Sequence, residues 1–265
     1  MTSTKEFDGQ VVVVTGGAQG LGQAIVRKLH ARGARIAILD RNLDGATAAA
    51  AEIRADGGDA IAIECDVSDT ASVIAAVAAV RSAYGRCDGL VNNAGILPKR
   101  TLEDETAELW DLTLAINLRG PFLCTQQFGE MMKEQGHGAI VNIASIGGTV
   151  PTVGAGAYCA SKAGILALTR QTALEWGEKG IRTNAVSPGY MQTPMTRDRY
   201  AVPGLMEQRA AMVPLGRIAD PEDIAGAVIF LLSDEGSYVN GHEILVDGGF
   251  KLSTTRRVPQ PAVQV

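Results

Sequence analysis

The run Gln10-Val-Val-Val-Val-Thr15-Gly-Gly-Ala-Gln-Gly-Leu-Gly22 decides the fold. Four consecutive valines read as a strand buried on both faces, the pattern of a parallel sheet. A helical pattern follows through Arg32, so the glycines lie between a strand and a helix. Glycines at such a junction permit a tight turn and close backbone approach. The helix N-terminus beyond them offers unpaired N–H groups and a positive dipole end to a pyrophosphate. Gly16, Gln19, Gly20, Leu21 and Gly22 are therefore expected to hold a dinucleotide. A glycine turn alone is weak evidence, and the flanking strand and helix supply the context it needs.

Outward from this turn the alternation of strand and helix continues. Strands are expected over 35–39, 60–65, from 89 to 91, and over 138–144, 181–186 and 243–247. Helices are expected over 43–55, up to 82, over 110–130, within 151–177 and over 221–232. Asp40 ends the second strand, eighteen positions after Gly22, where a carboxylate can accept hydrogen bonds from ribose hydroxyls; an ordinary acidic strand end is the competing reading. Its neighbour Arg41 could pair with a 2′-phosphate, but the Asp40 carboxylate repels that group, so NAD is expected over NADP. Asp66 and Val67, at the end of the third strand, suit the edge and face of an adenine, with an N-cap role for Asp66 as the alternative. In Asn92-Asn-Ala-Gly95 two amides crowd a turn, tying strands together while Asn93, Ala94 and Gly95 leave backbone groups facing a cofactor.

Asn117 stands among Leu114, Ile116 and Leu118, and a buried amide must find partners. Ser145 places a hydroxyl at the carboxyl end of a strand, where ligands gather in open α/β sheets. Thirteen residues on, Tyr158 and Lys162 are four apart in a helical pattern, a spacing that stacks them on one face. A fixed cation there favours the phenolate of a tyrosine that otherwise titrates near pH ~10. The pair is then a usable acid–base.

With 265 residues, 46% hydrophobic and 31 of them glycine, the chain reads as one α/β domain, its core spanning 8–250. A net charge of −5 and scattered Lys and Arg give no field for nucleic acid. No apolar run approaches a membrane span and the start is charged, so a cytoplasmic protein is expected. Four dispersed cysteines and three dispersed histidines signal neither disulfides nor a metal site; buried free thiols are expected. Between 194 and 213 periodicity is lost among methionines and arginines, which suggests a mobile lid over about 190–215. Residues 251–265 read as an extended or frayed tail. Arg100, Arg197 and Arg199 are candidates for an anionic substrate, solvated surface arginines being the commoner case.

Together these motifs resemble the short-chain dehydrogenase/reductase family over about 11–249. Thr15 to Gly22 has its Thr-Gly-x-x-x-Gly-x-Gly spacing, Asn92 to Gly95 its Asn-Asn-Ala-Gly turn, and Asn117, Ser145, Tyr158 and Lys162 its catalytic positions. Pro188-Gly189 with Met191 and Thr193 matches the segment that contacts the nicotinamide. Pro214-Leu-Gly-Arg and Asp247-Gly-Gly match the C-terminal signature of compact members. The resemblance implies a Rossmann-like, doubly wound, seven-stranded parallel sheet with helices on both faces, and a homotetramer. It further implies hydride transfer between NAD and a secondary alcohol or ketone. Tyr158 would exchange the proton, Ser145 steady the substrate oxygen, Lys162 support Tyr158 and the ribose, and Asn117 a water beside Lys162. A polyol, sugar or cyclic alcohol is the expected substrate, a 3-oxoacyl thioester reductase the alternative. A silent cofactor-binding regulator is the reading from another class, opposed by the intact catalytic set.

Overall fold

The structure, a computed structural model, describes residues 6–257. Seven strands, β1 (Val11–Thr15), β2 (Arg35–Asp40), β3 (Ala60–Glu64), β4 (Gly89–Asn92), β5 (Gly138–Ile143), β6 (Ile181–Pro188) and β7 (Glu243–Val246), form one sheet in the order β3-β2-β1-β4-β5-β6-β7. Every pairing is parallel. Parallel neighbours need crossovers, and helices supply them: α1 (Gly20–Ala31), α2 (Leu43–Ala55), α3 (Thr70–Tyr84), α4 (Ala107–Leu114), α5 (Gly120–Gln135), α6 (Gly156–Trp176), α7 (Arg197–Tyr200), α8 (Leu205–Met212) and α9 (Pro221–Leu232).

The two-residue period of β1 explains the layers. Val12 and Val14 face a core built with Ile25 and Leu29 of α1, Ile53 of α2 and Val228 of α9, whereas Val11 and Val13 face Val80 of α3 and Phe128 and Met132 of α5. Both faces are covered, which is why the strand is apolar throughout. A third cluster seats Ile165 and Leu166 of α6 against Ala144 and Ala185. The chain winds outward from β1 to β3 and then crosses to β4 on the other side. The reversal between β1 and β4 opens a crevice at the carboxyl ends of the strands.

Three expectations change. The single helix over 110–130 runs from Ala107 to Gln135 and is interrupted by a π-helical turn at Ala115–Arg119. The lid region is not without regular structure, since it contains α7 and α8. The tail is not extended where it is described: Phe250–Arg257 is a 3-10 helix. Asp247 causes this by accepting hydrogen bonds from the N–H groups of Gly249 (2.8 Å) and Lys251 (2.7 Å). The remainder of that tail lies outside the described residues.

Candidate active site

The glycine turn is built to touch backbone with backbone. Gly16 and Gly20 have φ of 63° and 57°, a region that side chains disfavour. A Cβ on Gly16 would lie 2.9 Å from Cα of Ala94, and one on Gly22 only 2.1 Å from the Gly16 carbonyl oxygen. Gly22 therefore lets α1 seat against the turn and does not itself line the crevice. Thr15 and Asn93 hold β1 to β4: Thr15 Oγ1 accepts from the N–H of Asn93 (3.0 Å) and Ala94 (3.1 Å), and Asn93 Nδ2 donates to the carbonyls of Thr15 (2.9 Å) and Gly16 (3.0 Å). Beneath them Asn92 Nδ2 donates to Asn142 (2.8 Å), whose own amide donates to Thr169 (2.9 Å), linking β4, β5 and α6.

From this turn a cavity of about 400 Å³ runs along the strand ends. It is lined by Gly16, Gln19, Gly20, Leu21, Asp40, Arg41, Asp66, Val67, Asn93, Ala94 and Gly95, and farther on by Ser145, Tyr158, Lys162, Pro188, Gly189, Met191 and Thr193. Two expected residues, Gly22 and Asn117, stand behind the wall. The Asp40 carboxylate is fixed at the end of β2, accepting from the N–H of Ala18 (3.1 Å) and Asn42 (3.0 Å). Asp66 is not the cap of α3; Asp69 takes that role, accepting from Ala71 (3.1 Å) and Ser72 (3.2 Å). Hydrogen bonds from the Ser68 hydroxyl and backbone hold the Asp66 carboxyl below its usual range, with Arg41 contributing by its charge.

Lys162 and Tyr158 are one turn apart on α6. The ammonium of Lys162 is buried, donates to the Ile143 carbonyl at 2.7 Å and stands 5.7 Å from the centre of the Tyr158 ring. Burial pushes it down from 10.5 to about 8. Asn117, fully buried on the π turn, closes a ring with Ile96: its Oδ1 accepts from the Ile96 N–H (2.8 Å) and its Nδ2 donates to the Ile96 carbonyl (2.9 Å). That Nδ2 also reaches Ser161 Oγ at 3.2 Å. Gly95 lies between Asn117 and Lys162, where a Cβ would stand 3.2 Å from Asn117 Oδ1 and 3.8 Å from Lys162 Nζ. Gly147 joins the remaining pair, its Cβ position being 3.4 Å from both Ser145 Oγ and Tyr158 Cε1. The hydroxyl of Ser145 accepts from the Gly147 N–H at 3.0 Å and stays available as a donor.

Several contributors had no readable signal. Glu105, distant in sequence, accepts from the Ala157 N–H (3.1 Å) and so satisfies a free donor at the start of α6. Arg209 of α8 and Tyr190 line the cavity, whereas Arg100 and Arg197 do not; the Arg199 side chain lies outside the description. The four cysteines are free and buried, with Cys65 and Cys159 on the cavity wall. None of the helices, among the described residues, is long and apolar enough to cross a membrane.

Residues 16–251 match a family model described as enoyl-(acyl carrier protein) reductase. D-Threitol dehydrogenase of Mycolicibacterium smegmatis is 43% identical over 246 residues, spanning 93% of this chain and 94% of that protein. Cyclopentanol dehydrogenase of Comamonas testosteroni is 41% identical over 243 residues, 91% of this chain and 96% of that one. A solved levodione reductase superposes with a TM-score of 0.87 at 38% identity, covering 92% of this chain and 98% of its own. The gox2181 structure reaches 0.90 at 40% identity over 93% and 97%. With the matched span running from the glycine turn through the Ser145, Tyr158 and Lys162 positions to the last strand, the chain belongs to the short-chain dehydrogenase/reductase family, enzymes that use a nicotinamide cofactor on CH–OH groups.

Proposed function

We propose that the protein is an NAD-preferring dehydrogenase of a secondary alcohol of the polyol, sugar or cyclic class, built as a homotetramer. The observation that carries this reading is the convergence of Ser145 and Tyr158 on Gly147, with Lys162 one helical turn behind Tyr158. The glycine turn fits a dinucleotide, because Gly16, Gln19, Gly20 and Leu21 line the cavity where α1 begins, with Asp40 on the same wall. When bound, the nicotinamide supplies the hydride acceptor. Ser145 donates a hydrogen bond to the substrate oxygen and orients it toward the Tyr158 hydroxyl. Tyr158 as phenolate takes the alcohol proton during oxidation and returns it during reduction. The Lys162 ammonium favours that phenolate and holds the ribose, while Asn117 keeps the Gly95–Ile96 backbone in place beside it.

Names of relatives support the alcohol class: they include dehydrogenases of D-threitol and cyclopentanol and a levodione reductase. For the cofactor, Asp40 decides. Its two hydrogen bonds from Ala18 and Asn42 keep the carboxylate at the end of β2, where a 2′-phosphate would meet like charge, whereas the exposed Arg41 can turn to solvent. Repulsion of this kind costs on the order of a few kcal/mol at an effective dielectric of ~20.

The test is kcat/KM over a panel of secondary alcohols with each cofactor. NAD should be favoured about tenfold or more, roughly 1.4 kcal/mol, and Asp40→Ala should lose most of that preference. A wild type that prefers NADP would overturn the role given to Asp40, and a panel with no turnover would overturn the activity. Sedimentation at equilibrium should return four chains.

A further inference from the structure

The mechanism leaves one charge pattern of the cavity unused. Among the described residues its only carboxylates are Asp40 and Asp66, both at the adenosine end where β2 and β3 finish. Among the described residues, the charged side chains on the wall near Tyr190 and Ile96 include Arg209 and Lys99. Both are cations.

Arg209 is held in an unusual way. Its guanidinium carbon lies 4.9 Å from the ring centre of Tyr190 and 5.2 Å from that of Tyr200, within cation–π range of both. Tyr190 is fixed in turn against Phe250, ring centres 4.7 Å apart. Two aromatic rings thus hold the guanidinium, which has five N–H donors. Among the described residues no carboxylate or carbonyl accepts a hydrogen bond from Arg209. A half-buried, planar cation with no such acceptor among the described residues, and whose position is set by rings, is preorganised for one partner above others, a carboxylate bound side-on. Lys99, which donates to the Val153 carbonyl at 3.2 Å, also lines the cavity.

We propose that Arg209 determines specificity by binding a carboxylate on the substrate, so that the alcohol this enzyme oxidises is a hydroxy acid, such as a sugar acid or a carboxylated cyclic alcohol. The inference rests on the dehydrogenase reading above and narrows it. Nothing is added to the chemistry: the carbinol carbon still loses a hydride to the cofactor and its oxygen a proton to Tyr158. Arg209 acts only on how the molecule is held.

Matched pairs test it: gluconate against sorbitol, 3-hydroxybutyrate against 1,3-butanediol, and 3-hydroxycyclohexanecarboxylate against 3-(hydroxymethyl)cyclohexanol. In wild type the acid of a pair that is turned over should exceed its neutral partner in kcat/KM by about tenfold or more, the worth of a hydrogen bond to a charged group. Arg209→Gln should shrink that ratio by about the same factor, mainly through KM for the acid. Arg209→Lys, which keeps charge without the planar fork, should restore part of it. The proposal is overturned if neutral members are preferred, if no acid is oxidised, or if Arg209→Gln lowers both members of a pair equally, the mark of a brace for α8. A rise in the KM for NAD with the substrate ratio unmoved would overturn it as well, by making the cofactor diphosphate the anion. Turnover of neutral alcohols in any of these cases leaves the dehydrogenase reading standing.

Discussion

Lys162 shows how one residue can carry charge, position and pH response at once. Because burial brings it down to about 8, it is an ammonium at neutral pH and loses its proton not far above. If that ammonium holds the cofactor ribose, NADH should bind tightest below about pH 8 and progressively more weakly as pH rises through that value. Fluorescence titration of NADH across this interval measures the trend, and Lys162→Gln should bind weakly with little dependence on pH. Wild-type affinity that stays level through pH 8 would remove the ribose contact from its role. Tyr158→Phe isolates the proton transfer from the cation: turnover should drop by roughly 10²–10⁴, the usual worth of general acid–base catalysis, while NADH affinity is retained. Near-normal turnover would take the acid–base assignment away from Tyr158.

Elements were legible in proportion to how strongly their burial was patterned. The bounds expected for α2 and α9 are those observed, Leu43–Ala55 and Pro221–Leu232, because each alternates a buried and an exposed stripe at helical spacing. The strands agree to within two residues, and in β1 and β2 continuous apolar runs mark two-sided burial. What failed was structure made by contacts remote in sequence. No pattern announces the π turn at Ala115–Arg119, which sets Asn117 against Ile96.

The lid is the instructive case. Helix α8 has no fully buried side chain, and of residues 194–213 with a described side chain only Val213 is buried, so little hydrophobic periodicity existed to be read. The same scarcity of buried contacts predicts low local stability. Amides of α7 and α8 should exchange with solvent well before those of β4 and β5 in the cofactor-free protein, and slow when NAD and substrate are added together. Equal protection of lid and core strands without ligand would contradict the role of a cover. The glycine turn makes the reverse prediction. Gly22→Ala places a Cβ in contact with the Gly16 carbonyl and should cost about 1–3 kcal/mol in urea unfolding, with NADH affinity reduced as α1 shifts.

At the scale of the whole molecule the sheet separates its two ends by task. The carboxyl ends of the strands carry the cavity, while the amino ends are fastened by Asp88, which precedes β4 and is buried. Its carboxylate accepts from the Val11 N–H of β1 (2.8 Å), from Arg86 Nε (2.8 Å) and Nη2 (2.6 Å), and bonds His137 Nε2 (2.9 Å) next to β5. Asp88 backbone groups pair with Val11 and Ala139 as well, so three strands start from one residue. Burial alone would raise its pKa; the hydrogen bonds from Arg86, Val11 and His137 outweigh that and hold it below its ordinary 3.8. A carboxyl depressed on folding contributes stability above its unfolded pKa and loses it as pH falls through the folded value. Asp88→Asn should therefore be less stable than wild type by about 2 kcal/mol at neutral pH, the cost of losing a buried carboxylate that is hydrogen-bonded to partly exposed cations. The gap should narrow below pH 3.8 as the wild-type carboxyl takes up its proton. Urea unfolding at neutral and acid pH measures this, and kcat of the folded variant should follow wild type because the cluster lies across the sheet from the cavity. A gap that persists undiminished in acid would mean that the residue stabilises by shape and hydrogen-bond count, with its charge playing no part.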